Sequence, residues 1–177
     1  MEGSPSSAGT LRALRRLVRA LRLADRAAEA RLGLSAAQLF VLERLAEGPV
    51  ASMAELAART LTDASSVSVV VQRLTTRGLV VRAPSQDDAR RTTLRLSAPG
   101  KRLLTSAPRS PQADLLDALE QLSATDRREL ERLLEQLVRG IGIDEQAPAP
   151  MLFEGEGRVV RRRPRAPASR ARTRTHG

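Results

Sequence analysis

The chain has 177 residues, 41% of them hydrophobic, and a formal net charge of +10, which is enough length for one domain with a real core. It contains no cysteine and a single histidine, His176, next to the C-terminal residue, so disulfides, thiolate metal sites, cysteine redox switches and histidine-based triads are excluded. Aromatic side chains are confined to Phe40 and Phe153, which removes the stacking platforms that single-strand binders use and leaves Leu, Val, Ile and Ala to build a mainly helical core.

Residues 1–9 are rich in Gly, Ser and Pro and read as a disordered N-terminus. From Thr10 the pattern turns helical: Leu11, Leu14, Val18, Leu21 and Ala28 recur at helical spacing, six arginines fill the opposite side, and Gly33 ends the run. Ser35-Ala-Ala-Gln38 is a capping box that opens a second helix through Leu39, Leu42 and Leu45, stopped at Gly48-Pro49. Ser52-Met-Ala-Glu55 has the same signature and opens a short helix to about Thr60. Thr62 or Asp63 caps the next helix, which runs to Arg77, and Gly78 supplies the left-handed residue that ends it. Leu79–Ala83 is extended, residues 85–91 form a polar turn, and Thr92–Ser97 alternates with period two, so the two runs predict a hairpin that must lean on the helices. Ser97 caps a further helix through Leu103 and Leu104, and Pro108 and Pro111 interrupt or kink the next stretch. Leu115, Leu119 and Leu122 form one stripe, and Ser123 or Thr125 caps a last helix with Leu130, Leu133, Leu134, Leu137 and Ile141. Residues 144–177, rich in Pro and Arg, read as a disordered basic tail. No apolar run approaches the roughly 18 residues of a membrane span and no signal-peptide apolar region opens the chain, so a cytoplasmic setting is expected.

The expected fold is therefore mainly α with a small β-wing: a winged helix-turn-helix lobe over 34–97, a helix over 10–33 and helices over 98–143. Residues 50–105 hold nine basic side chains against four acids, and 144–177 hold eight arginines against four acids. Both stretches would attract a polyanion such as the DNA backbone, although one lysine among so many arginines is equally the mark of a G·C-rich genome. In the helix over 63–77, Val67, Val70, Val71 and Leu74 form a face that docks on the preceding helices. Ser65, Ser66, Ser68, Val69, Gln72 and Arg73 lie on the other side. Small polar residues at a helix N-terminus, with its free amides and positive dipole, suit docking in a major groove; a capped helix with a solvated face is the plainer reading. Arg90 and Arg91 at the hairpin tip suit a narrow minor groove, with Asp88 orienting Arg90 or simply making a surface ion pair.

These strings, in this order, resemble the MarR family of bacterial transcription regulators. Leu34-Ser-Ala-Ala-Gln-Leu-Phe-Val-Leu42 is similar to that family's second-helix opening, and Met53-Ala-Glu-Leu-Ala57 to its first helix-turn-helix helix. Ser65-Ser-Val-Ser68 through Arg73-Leu and Arg77-Gly-Leu-Val80 is similar to its recognition helix and exit, and Asp88-Ala-Arg90-Arg91 with Leu96-Ser-Ala-Pro-Gly100 to its wing and next helix. The resemblance covers about residues 10–142. It implies a homodimer joined by the first and the last two helices. It further implies repression at a pseudo-palindromic operator in double-stranded DNA and, in many members, release by a small-molecule effector. The DNA-binding residues it implies are Ser52, Ala64, Ser65, Ser66, Ser68, Val69, Gln72, Arg73, Asp88, Arg90 and Arg91. Many members carry a basic residue where Val69 stands, so specificity is expected to rest on Ser66, Ser68 and Gln72, with Val69 limited to an apolar contact such as a thymine methyl. The lack of cysteine excludes the thiol sensing of some members. Arg162-Arg-Pro-Arg165 is faintly similar to a minor-groove hook without its central Gly. The alternative class is a winged-helix module that binds protein. An enzyme is not expected, because no nucleophile–base pair, metal cluster or phosphate-cradling loop is present in the sequence, and no cofactor is expected.

Overall fold

The computed structural model describes residues 7–84, 92–144 and 150–154. These form α1 (Ser7–Leu32), α2 (Ala36–Ala46), α3 (Met53–Thr60), α4 (Ala64–Thr76), β1 (Val80–Pro84), β2 (Thr92–Leu96), α5 (Ala98–Thr105), α6 (Pro111–Glu120) and α7 (Ala124–Gly140). The architecture is mainly helical, with one two-stranded antiparallel sheet.

The centre of the core is α2. Ala36, Ala37, Leu39, Phe40, Val41 and Leu42 are fully enclosed, so this helix is apolar on nearly every side, as a helix surrounded by others must be. Its start is fixed twice over. Ser35 Oγ accepts from the Gln38 amide while Gln38 Oε1 accepts from the Ser35 amide, closing the expected capping box. The Asp25 carboxylate of α1 accepts from the Ala36 amide at 2.8 Å, which ties the long first helix to α2. That first helix begins at Ser7, three residues ahead of Thr10, and ends at Gly33, whose φ of 62° is the left-handed conformation of a helix C-terminus.

The strands pair in the register Val80↔Leu96, Arg82↔Leu94 and Pro84↔Thr92. Val80, Leu94 and Leu96 are buried in the same apolar cluster as α2 and α4, and this supplies the support a lone hairpin lacks. A third backbone segment joins it: Val50 exchanges both hydrogen bonds with Leu94, at 3.0 and 2.8 Å. The turn that leads into α3 is thereby stitched to the wing. On the far side, Ser97 caps α5 through the Gly100 amide, donates through its hydroxyl to the Gly78 carbonyl at 2.6 Å and donates through its amide to the Leu79 carbonyl at 3.0 Å.

Of the two outcomes expected for Pro108 and Pro111, interruption is the one observed: Pro108 lies between α5 and α6, and Pro111 kinks no helix. It is the first residue of α6, where its fixed φ is helical and its missing N–H is no loss, and Ser110 caps the helix in front of it. Asp63, not Thr62, caps α4, and Ser123, not Thr125, caps α7. Among the described residues no helix is long and apolar enough to cross a membrane.

Candidate nucleic-acid interface

The helix-turn-helix is set by short-range chemistry. In α3, the Ser52 hydroxyl accepts from the Glu55 amide at 3.0 Å. The reciprocal half of a capping box does not form. Glu55 instead accepts from the Ala51 amide at 2.7 Å and from Arg59 at 2.6 Å, a pairing one turn along the helix that draws its carboxylate off the cap. These bonds hold the Glu55 carboxyl below its ordinary range, the Ala51 amide contributing most. The helix closes on Leu61, which adopts the left-handed conformation (φ 54°) and donates back to α3 carbonyls. Thr60 is buried because its hydroxyl donates to Leu56 and Ala57.

The turn delivers the chain to Asp63, the residue that organises the start of α4. One carboxylate oxygen accepts from the Ser66 amide at 2.9 Å, and the other from the Ser66 hydroxyl at 2.9 Å. The Ser65 hydroxyl also donates to it. With the Ser65 hydroxyl as the largest influence, followed by the Ser66 amide and hydroxyl, the Asp63 carboxyl is pushed down to about 2. Behind this start, Val67, Val70, Val71 and Leu74 are buried, so the rear face of α4 is locked into the core as expected.

The residues proposed from the sequence fall into three groups. Ser52, Ala64, Ser65, Ser68, Val69, Gln72 and Arg73 all face solvent, on α4 and at the start of α3. Ser66 does not: it is 9% exposed and both its donors are engaged with Asp63, so it serves the cap of α4. Asp88, Arg90 and Arg91 lie outside the described residues. Arg82 and Arg95, exposed on β1 and β2, bring positive charge to the wing strands.

Three arginines of the module also hold its elements together. Arg59 donates to the Gly48 carbonyl at 3.0 Å and pairs with Glu55, which fastens α3 to the end of α2. Arg77 donates to the Gly33 and Leu32 carbonyls at the end of α1. Arg73 donates to the Glu154 carbonyl at 2.8 Å, across 81 residues. Sequence reasoning counted these side chains as charge, and only the fold reveals their partners.

A helix whose rear is fixed in the core and whose front carries small polar groups, followed by a basic hairpin, defines a winged helix-turn-helix DNA-binding regulator. Comparison with known proteins gives the family. The MarR family model matches residues 32–91. A protein of Thauera aromatica, named for transcriptional regulation of the hcr operon, is 33% identical over 109 residues, covering 62% of this chain and 64% of that protein. An HTH-type transcriptional repressor of Mycobacterium tuberculosis is 32% identical over 106 residues, covering 60% of this chain and 76% of the repressor. Among solved structures, a MarR family protein of Mycobacterium tuberculosis in complex with p-aminosalicylic acid is 30% identical with a TM-score of 0.44, covering 75% of this chain and 98% of that chain. A transcriptional regulator from Pseudomonas aeruginosa is also 30% identical, with a TM-score of 0.48, covering 70% of this chain and 92% of that chain. The chain belongs to the MarR family: it is a transcriptional regulator and not an enzyme.

Proposed function

We propose that this regulator is a cytoplasmic homodimeric repressor that reads a pseudo-palindromic duplex. In this reading α4 lies in the major groove, and the wing residues Arg90 and Arg91, with Asp88 beside them, lie at the adjacent minor groove. The observation that carries it is the division of α4 into a fully enclosed rear and an exposed front of Ala64, Ser65, Ser68, Val69, Gln72 and Arg73. Small side chains let the helix backbone approach base edges, and Gln72 carries the one exposed side-chain amide there, able to pair bidentately with an adenine edge. Specificity then rests on Ser65, Ser68 and Gln72, with Ser66 reserved for the cap. Selection of bound duplexes from a random pool tests this reading. A palindromic motif is expected, and Gln72→Ala should lose about 1–3 kcal/mol of discrimination at one base pair per half-site. A pool that stays random would favour the protein-binding class instead.

Dimerisation is supported by α7, in which no residue is buried. Leu133, Leu134 and Leu137 are 42–48% exposed and Ile141 72%, and α1 exposes Leu11, Leu17, Val18 and Leu23 in the same way. Two such faces pairing about a two-fold axis would remove them from water. In this division the lobe 34–97 reads DNA, while 10–33 and 98–143 hold the dimer. A solution mass of one chain would refute it.

Effector release is supported by a cavity of about 260 Å³ between α2 and the α5–α6 connection, lined by Glu43, Arg44, Leu104, Ala107, Pro108 and Arg109. Glu43 accepts from the Ser110 amide and hydroxyl at 2.7 and 2.5 Å. Burial pushes its carboxyl up, against the opposing pull of those bonds and of Arg44 and Arg109. Arg44, which also pairs with Glu47 at 2.8 Å, and Arg109 bring two guanidinium groups to the lining, so a small carboxylate is the effector chemistry that fits. Arg44→Met should abolish release by such an acid while leaving operator affinity unchanged.

A further inference from the structure

After α7 the chain returns to the DNA-reading lobe. Met151 is 3% exposed and belongs to the same buried cluster as Val67, Val70, Val71 and Leu74 of α4. Phe153 then adopts the left-handed conformation (φ 57°), which residues with a bulky side chain rarely take. This turn presents the Glu154 carbonyl to Arg73, whose Nη1 donates to it at 2.8 Å. Arg73 is the only charged side chain of α4, and it is exposed beside Gln72. A guanidinium carries five donors in a planar fork, so a bond at Nη1 orients the plane and leaves most of the fork for a second acceptor. The Glu154 carboxyl, raised chiefly by partial burial, senses both Arg73 and Asp63, which places the turn along the flank of α4.

We propose that the Met151–Glu154 turn positions Arg73 for a phosphate of the DNA backbone, which makes this short segment, distant from the helix-turn-helix in sequence, a working part of the DNA-reading surface. The inference rests on the DNA-reading role given to α4 above. A free arginine samples many rotamers, and ordering it on a partner costs affinity. A carbonyl that already holds the guanidinium meets that cost in the unbound protein. The carbonyl is itself held at two points. Met151 fixes the segment in the core, and the left-handed turn at Phe153 aims the following peptide at α4. An unfavourable backbone state persists only where its surroundings impose it, and here the buried Met151 is what imposes it. The Glu154 carbonyl is neutral and engages one nitrogen, so it orients the positive charge without masking it. Base edges are met by the first turns of a recognition helix, whereas Arg73 stands near the C-terminal end of α4. A phosphate, which fixes the register of a protein on the duplex, is the acceptor that suits an arginine fork there.

The test turns on residue 153 in the full chain. Phe153→Gly and Phe153→Pro both remove the ring and leave Met151 in place. Glycine adopts the left-handed conformation freely, whereas proline, with φ locked at about −65°, cannot. Affinity for the selected duplex is measured for both variants, each with Arg73 intact and with Arg73→Met. With Arg73 intact, Phe153→Pro should bind about two- to twelve-fold more weakly per half-site than Phe153→Gly; with Arg73→Met the two should bind equally. No gap with Arg73 intact, or the same gap in both backgrounds, would reduce the turn to a structural element and overturn the proposal. Tighter binding by Phe153→Pro would make the turn a block on Arg73 and overturn it as well. Should Phe153→Pro fail to fold, Phe153→Val, disfavoured in that conformation but not barred from it, should still bind more weakly than Phe153→Gly, and only with Arg73 intact. Glu154→Gln keeps the carbonyl and should bind at least as tightly as the wild type; weaker binding would place the effect in the carboxylate and overturn the role of the carbonyl. Arg73→Met alone should flatten the slope of log affinity against log salt by about 0.9 per half-site, and an unchanged slope overturns the phosphate contact. Failure of the full chain to select any duplex is a different outcome, and sinks the reading of α4 instead.

Discussion

Gly100 lets the first turn of α5 lie close against the Leu79 backbone. A Cβ placed on it would lie 2.2 Å from the Leu79 carbonyl oxygen and 3.1 Å from its carbon. Gly100→Ala therefore sets two effects against each other. Alanine in a helix is favoured over glycine by about 0.5–1 kcal/mol. Against that, the contact must open by roughly 1 Å, and the atom in the way is backbone, so overpacking of about 1–3 kcal/mol is expected. The displaced carbonyl is also the acceptor for the Ser97 amide at 3.0 Å, a bond that contributes a further ~0.5–1.5 kcal/mol. The steric loss wins, and the net should be a destabilisation of about 1–3 kcal/mol. With a urea slope of about 2 kcal/mol/M, that is a midpoint lower by roughly 1 M. Gly140→Ala is the control: nothing lies within 4 Å of its added Cβ, so the unfolded chain loses freedom and stability should rise by about 0.4–1 kcal/mol, with a slightly higher midpoint. Urea unfolding followed by helix ellipticity, at one fixed protein concentration, compares the two. A Gly100→Ala protein as stable as Gly140→Ala would refute the contact as drawn.

Three further outcomes are set by named side chains. Leu74 is fully buried whereas Val69 is 42% exposed on the same helix, so Leu74→Ala should lower stability by about 2–5 kcal/mol and Val69→Ala by less than about 0.5 kcal/mol. Asp63 has a native pKa of about 2 against an ordinary 3.8. Its contribution to stability is therefore complete above pH 4 and is lost as pH falls through 2. Asp63→Asn keeps an acceptor at the cap, so the stability gap between it and the wild type should narrow across that window; a gap unchanged at pH 2 contradicts the linkage. Arg59 and Arg77 are engaged with helix-end carbonyls, so Arg59→Met and Arg77→Met should leave the salt slope of DNA binding unaltered, which titration at several salt concentrations measures directly.

The features legible in the sequence were those that depend on neighbours in the chain. The caps at Ser35, Ser52 and Ser97 come from side chains a few residues from the backbone groups they satisfy, those of α4 and α7 were narrowed to two residues each, and Gly33 and Gly78 mark left-handed helix ends by their lack of a side chain. The apolar arc of α4 was visible for the same reason. The burial of Ser66 was not legible because it sits at the edge of that arc, and only the double bonding to Asp63 makes burial of a hydroxyl acceptable. The bridge at Val50 is one residue long, too short to leave an alternating pattern. Arg73 and Arg77 read as free charge because their partners are carbonyls, which carry no signature in a sequence. The return of Met151 to the core was invisible for a similar reason: one methionine in a Pro- and Arg-rich stretch has no periodicity to reveal it. The proposed wing contacts at Asp88, Arg90 and Arg91 remain those that the resemblance implies.

The bond from Arg77 to the end of α1 joins two parts with separate proposed duties. Arg77 stands just past the last turn of the helix that faces DNA, and its acceptors Leu32 and Gly33 close the long helix assigned to the dimer. A guanidinium shared by two successive carbonyls is a direct link along which a tilt of α1 would reach the exit of α4. In a two-fold assembly, that makes the angle of α1 a setting for the separation of the two reading helices, and half-sites one helical turn apart, about 34 Å, tolerate only a narrow range of that separation.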